Sequence, residues 1–172
     1  MSMDATNRFD AIVIGSGITG GWAAKELTEK GMKVLMLERG KETVHGESYQ
    51  GEHVPPWGEP FYGKNPRDLY DEEYPVQKLC YAFSEMTRHF FNNDKDNPYI
   101  RDEDKPFDWI RGDQVGGRSL TWGRQVYRWS DLDFEANKKD GNGIDWPIRY
   151  ADIKDWYSYV ERYIGVTGQA EG

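Results

Sequence analysis

Two short apolar runs stand out near the N-terminus, Ala11-Ile12-Val13-Ile14 and Val34-Leu35-Met36-Leu37, each of strand length. The intervening residues carry apolar positions at helical spacing and close at Gly31. A buried strand over residues 10–14, a helix over 18–30 and a second strand over 33–38 therefore form one βαβ unit. From residue 39 to about 107 the pattern dissolves into Gly, Pro, Tyr and charge, with Val54-Pro55-Pro56-Trp57-Gly58 and residues 92–96 as the clearest breakers. Within that stretch only residues 76–91 have a helical pattern. Short strands are expected at 109–111 and 125–128, flanking a glycine-rich turn at 115–123. A last helix over about 151–164 places Ile153, Trp156, Tyr157, Val160 and Ile164 on one stripe, ends at Gly165 and leads into a polar loop, 167–172.

An irregular stretch of this length is uncommon inside a self-contained domain. Two or three parallel strands also cannot cover both faces of a doubly wound sheet. The expected fold class is α/β: a Rossmann-like βαβ unit with a long irregular insertion, forming the N-terminal portion of a larger two-domain protein. Its parts are the βαβ unit at 9–40, a loop-rich insertion at 41–108, a glycine loop region at 109–128 and the terminal helix. A substrate domain and a C-terminal catalytic segment are expected to lie outside this sequence.

Composition narrows the function classes. The 172 residues are 37% hydrophobic and 30% charged, and the formal charge of −8 comes without any long run of Lys or Arg. Nucleic acid and anionic membrane surfaces are therefore poor partners. Cys80 is the only cysteine, which removes an intrachain disulfide, a C-x-x-C pair and a thiolate metal set. No metal site is expected. The polar residues 1–8 lack the basic and apolar regions of a secretory leader, and nothing approaches the roughly 20 apolar residues of a membrane span. The expected location is cytoplasmic, or periplasmic by export with a signal-bearing partner.

The first chemical motif is Gly15-Ser16-Gly17-Ile18-Thr19-Gly20, set between the first strand and the helix. In this context G-x-G-x-x-G supplies a tight turn at Gly15, a close backbone approach to a pyrophosphate at Gly17 and helix–strand packing at Gly20, while the helix N-terminus, from Ser16 to Thr19, offers N–H groups to phosphate. Ala24, Leu27, Gly31, Val34 and Glu38 extend the fingerprint. Glu38 ends the second strand, where its carboxylate can accept hydrogen bonds from adenosine ribose hydroxyls and would repel a 2′-phosphate. Arg39 follows, placed to cover the adenine face or to cap the strand end. Glu38-Arg39-Gly40 resembles FAD-binding oxidoreductases more than nicotinamide dehydrogenases, so FAD is preferred over NAD.

The second motif is Gly116-Gly117-Arg118-Ser119-Leu120-Thr121-Trp122-Gly123, preceded by Arg111-Gly112-Asp113-Gln114-Val115. A backbone with few side chains can lie against a flat ring. This loop resembles the flavin-contacting loop of the glucose-methanol-choline oxidoreductases, most closely the pyranose oxidase and sugar 3-dehydrogenase branch, and Asp145-Trp146-Pro147-Ile148 is similar to that branch as well. The resemblance implies FAD contacts from Gly116, Gly117, Arg118, Ser119, Thr121, Trp122 and Gly123. Some relatives attach the flavin covalently through a His in this loop; Thr121 stands there, implying non-covalent FAD. It further implies oxidation of a CH–OH group of a sugar or glycoside to a ketone by hydride transfer to flavin N5, with oxidase and dehydrogenase both open. The family's catalytic His belongs to a C-terminal motif that no segment here matches, so no catalytic residue is assigned.

His45, His53 and His89 read as structural or exposed. Arg118, Arg124 and Arg128 could meet pyrophosphate or reduced flavin, or form surface ion pairs. The acidic stretch at 92–108 lacks the glycine and closing glutamate of a calcium loop and reads as a solvated loop. Most Trp and Tyr residues are assigned to core or interface. The expected partners are a sugar or glycoside, a complementary C-terminal polypeptide or the remainder of the chain, and a small subunit or electron-acceptor protein. Two alternatives stand beside this reading: another FAD-dependent oxidoreductase of monooxygenase or amine oxidase type, and a non-catalytic cofactor-binding piece that needs a complementary chain.

Overall fold

The computed structural model describes residues 8–169. Most of the polar N-terminal stretch and the end of the polar C-terminal loop lie outside the described residues. The chain forms two compact units, one ending at Trp122 and one beginning at Gly123.

In the first unit, β1 (Ala11–Ile14) and β2 (Val34–Leu37) pair in parallel, Ala11 opposite Val34 and Ile14 opposite Leu37, with α1 (Ile18–Glu29) between them in sequence. This is the βαβ unit that the apolar runs predict. The turn into α1 depends on glycine: Gly15 has φ 90°, and a Cβ on Gly20 would lie 2.0 Å from the Gly15 carbonyl oxygen. The two strands cover little of their own apolar surface. Val13 is buried, but Ile12 is 62% and Ile14 84% exposed.

The insertion is less formless than its composition suggests. It contains α2 (Arg67–Glu73) and a small aromatic core of Tyr70, Phe83 and Phe91, whose rings meet edge-to-face with centroids 5.1 and 5.2 Å apart. The buried Tyr70 hydroxyl donates to Glu85 at 2.6 Å. No helix spans 76–91; two 3-10 turns, Gln77–Leu79 and Arg88–Phe90, stand there instead. The cause is local, since the Thr87 hydroxyl turns back to the Ala82 carbonyl and accepts the Ser84 N–H, competing with helical bonding. Nor does 109–111 form a strand, because the Trp109 N–H donates to the Tyr99 hydroxyl at 2.9 Å. The acidic stretch is tied to the fold rather than merely solvated. Asp94 pairs with the buried Arg111 at 2.9 Å, and the Arg111 guanidinium lies over the rings of Tyr99 and Trp109.

The second unit is helical: α3 (Asp131–Asp140) and α4 (Tyr150–Ile164). Phe134 is its buried centre, with Trp129 and Trp146 against it. Residues 125–128 form no strand. Arg128 extends instead to α4, gripping Glu161 at 2.5 and 2.7 Å and donating to the Tyr150 and Ser158 hydroxyls. Glu161 and Tyr150 hold the Arg128 guanidinium above its ordinary pKa. On α4, Ile153, Tyr157 and Val160 are half-buried, but Trp156 is 65% and Ile164 44% exposed, and neither is part of the covered stripe. Among the described residues no helix is long and apolar enough to cross a membrane.

Candidate cofactor-binding site

The two glycine motifs, separated by about 100 residues, meet in the first unit. Glu38, at the end of β2, turns its carboxylate onto the first glycine turn. Its Oε2 accepts the Ser16 N–H at 2.7 Å and the Ser16 hydroxyl at 2.6 Å, and its Oε1 accepts the Gly40 N–H at 2.7 Å. These bonds, the Ser16 hydroxyl's first, hold Glu38 at a pKa of about 2. A carboxylate offers about four acceptor sites, so Oε1 keeps room for a further donor such as a ribose hydroxyl.

Ser16 Oγ also accepts the Gly116 N–H at 3.0 Å. One hydroxyl thus joins the second glycine loop to the Glu38 carboxylate. The loop itself is folded for close approach. Gly116 and Gly117 have φ 88° and 59°, and a Cβ on Gly117 would lie 3.0 Å from the Gly17 Cα. Gly117 then begins a 3-10 turn, Gly117–Leu120, closed by the Ser119 hydroxyl on the Gly116 carbonyl and by the Thr121 hydroxyl on the Arg118 carbonyl. Arg118 donates to the Ile110 carbonyl at 3.2 Å and lies over Phe91. Trp122, 40% exposed, ends the unit, and Gly123 opens the next.

The space over the first turn suits an anion. No side chain caps α1, its first turn holds no acidic residue, and a Cβ on Gly17 would meet nothing within 4 Å. An uncapped helix N-terminus beside open glycine backbone is what a pyrophosphate needs. Thr19, in that first turn, is exposed. A cleft of about 420 Å³ runs along this edge, bounded by Ile14, Gly15, Leu37 and Glu38 on one side and by Gly112, Asp113, Gln114 and Gly117 on the other. Residues at the topological end of parallel strands are the usual place for a dinucleotide.

Arg39 stands at the rim, its guanidinium 2.5 Å from Asp113. Burial raises the pKa of Asp113, but hydrogen bonds from Arg39 and Asn92 outweigh it and leave the carboxyl below its ordinary value. Asn92 connects the insertion to this site, because its backbone N–H donates to the Arg111 carbonyl and its side chain to Asp113 at 2.7 Å. Past the end of β2, Lys41 bridges to Gln114 in parallel fashion. The sequence reading gave no role to Asp113, Gln114 or Asn92; nearness to the second glycine pair could have flagged the first two, whereas Asn92, in the insertion, carried no local signal.

The histidines do not converge on the cleft. His45 pairs with Glu52 at 2.6 Å, His53 is exposed, and the ring nitrogens of His89 are buried without partners. Desolvation, then the neighbouring Arg88, lowers the His89 pKa. Arg128 is engaged with Glu161 inside the second unit, the ion-pair alternative of its two readings. Among the described residues no group of three His, Cys, Asp or Glu could hold a metal ion.

No family model matches the chain. It is similar to the paromamine 6'-oxidase of Streptomyces fradiae, at 27% identity over 95% of this chain and 24% of that protein. It is also similar to the fructose dehydrogenase large subunit of Gluconobacter japonicus, at 26% identity over 92% of this chain and 27% of that protein. The gluconate 2-dehydrogenase flavoprotein of Pantoea cypripedii is 22% identical over 95% of this chain and 26% of its own length. The relatives are thus oxidoreductases, and the chain spans about a quarter of their length.

Proposed function

We propose that this chain is the cofactor-binding part of an FAD-dependent oxidoreductase of the glucose-methanol-choline type, oxidising a CH–OH group of a sugar or glycoside. The observation that carries the reading is the Glu38–Ser16–Gly116 linkage, which gathers a ribose acceptor, a pyrophosphate turn and a flat glycine loop along one cleft. A mononucleotide would need only part of that arrangement. The names of the relatives, an oxidase, a dehydrogenase subunit and a flavoprotein, support the same class of chemistry.

In this proposal Glu38 holds the adenosine ribose, Gly15, Ser16, Gly17, Thr19 and Gly20 form the pyrophosphate turn, and Arg39 shields the nucleotide at the rim. Gly116, Gly117, Arg118, Ser119, Thr121 and Trp122 would line the flavin. Bound there without a covalent link, the flavin supplies a hydride acceptor. The chain's own work is to orient that ring, to keep negative charge matched to α1 and to exclude water behind the glycine loop. The base that removes the hydroxyl proton lies outside these residues, in the remainder of the protein or in a complementary polypeptide. The exposed Ile12 and Ile14 of β1 support such a complement, because strands of a parallel sheet are ordinarily covered on both faces. Relatives named as a large subunit and a flavoprotein support a multichain assembly.

The test is the absorption spectrum of the protein purified with any co-purifying chain. A flavin band that bleaches when a glycoside is added without air supports the reading. A flavin band untouched by sugars and glycosides but bleached by an amine contradicts the substrate class, and the absence of flavin contradicts the whole proposal.

A further inference from the structure

Gln114 is 5% exposed, and its Nε2 is buried without a hydrogen-bond partner. A buried amide N–H left unpaired is costly, so its retention calls for a ligand. The side chain lies over Gly112, where a Cβ would come 2.8 Å from Oε1 and 3.3 Å from Nε2. Gln114 lines the cleft described above and also a second cavity of about 500 Å³, which continues past Arg39 and Asp113 toward Lys41 and Asn92. It is thus the amide at the junction of the two spaces.

Its place relative to the ribose acceptor sets what it can meet. Glu38 directly follows β2, and immediately after Gly40 the backbone of the two segments is tied by the Lys41 N–H on the Asp113 carbonyl, at 3.3 Å, and the Val115 N–H on the Lys41 carbonyl, at 2.9 Å. Gly40 packs so closely on this segment that a Cβ would come 2.4 Å from the Gln114 nitrogen. Gln114 thus shares the cleft with Glu38, the proposed ribose acceptor, and also lines the second cavity. The group attached to the ribose on the side away from the pyrophosphate is the base. A carboxamide presents one donor and one acceptor in a plane, which matches N7 beside the exocyclic 6-amine of adenine. On that edge guanine presents two acceptors, N7 and O6, so the amide oxygen faces an acceptor in either orientation. The terminal torsion of a glutamine is soft, so rotation about it can present the N–H to a ligand.

We infer that Gln114 reads the nucleobase of the bound dinucleotide and selects adenine. The inference rests on the dinucleotide reading above but not on the nature of the substrate. The experiment removes the cofactor from the purified protein, kept with any co-purifying chain, and measures ADP and GDP binding by calorimetry alongside FAD reconstitution by fluorescence. Wild type is expected to prefer ADP over GDP by roughly tenfold or more, the scale of one good amide–adenine pair. Gln114→Met keeps the side-chain length and Gln114→Glu keeps the acceptor while losing the donor. Either variant that remains folded by circular dichroism is expected to lose most of that preference. If wild type rebinds FAD and both variants keep the full preference for ADP, the assignment of Gln114 is wrong and the FAD reading stands. If wild type takes up neither FAD nor ADP, both fall.

Discussion

Replacing Ser16 by Ala removes the hydroxyl that donates to Glu38 at 2.6 Å and accepts from Gly116 at 3.0 Å. A hydrogen bond to a charged group is worth about 1.5–3 kcal/mol, and the half-exposed setting of Glu38 calls for the lower end because solvent screens the charge. Leaving the half-buried Gly116 N–H without its acceptor adds about 1 kcal/mol, so the variant is expected to lose about 2–3 kcal/mol at neutral pH. The loss has a characteristic pH dependence. A carboxylate with a depressed native pKa contributes stability above its unfolded value, and that contribution disappears as pH falls through the native value. For Glu38 the window runs from 4.5 down to about 2. Urea unfolding across that range should therefore show the gap between Ser16→Ala and wild type wide at pH 7 and narrowing toward pH 2, with the Glu38 carboxyl titrating closer to 4.5 in the variant. A gap that stays constant with pH, or an unmoved Glu38 titration by NMR, would refute the linkage.

Other perturbations test other parts. Glu38→Gln should flatten the acid limb of stability between 4.5 and about 2 and reduce FAD retention; a variant with an unchanged acid limb and unchanged retention contradicts the role given to this carboxylate. Gly20→Ala places a Cβ 2.0 Å from the Gly15 oxygen, and denaturant melts should show at least the ~1–3 kcal/mol cost of an overpacked core position; wild-type stability would mean that the turn is not as close as described. Tyr70→Phe leaves the buried Glu85 without its 2.6 Å donor and should cost about 1–3 kcal/mol, read as a lower unfolding midpoint with FAD binding preserved in the folded protein.

The βαβ unit was legible because several independent constraints coincide there: strand-length apolar runs, Gly15 and Gly20 at a turn that a side chain would block, and an acidic residue at the end of β2. α4 was legible for a similar reason, an apolar stripe ending at Gly165, whose φ of 73° suits a glycine. α3 was not. It buries only Phe134 and carries no stripe, and its signals were at the ends: Asp133 accepting the Ser130 N–H at 2.8 Å, and Gly141 with φ 70°. The helix expected at 76–91 failed because Ser84 and Thr87 bond locally, an effect that apolar periodicity does not register. Within the site, the individual motifs could be read one at a time. Their meeting through the Ser16 hydroxyl could not, since a contact across 100 residues leaves no mark in local spacing.

The central claim is that this chain holds FAD along the cleft between its two glycine loops. The most direct measurement is to release whatever nucleotide the purified protein carries by heat or acid and to identify it by absorption and mass. The account predicts intact FAD, set free without proteolysis, as non-covalent binding requires. Release of NAD, of FMN or of no nucleotide from a folded protein would contradict the account.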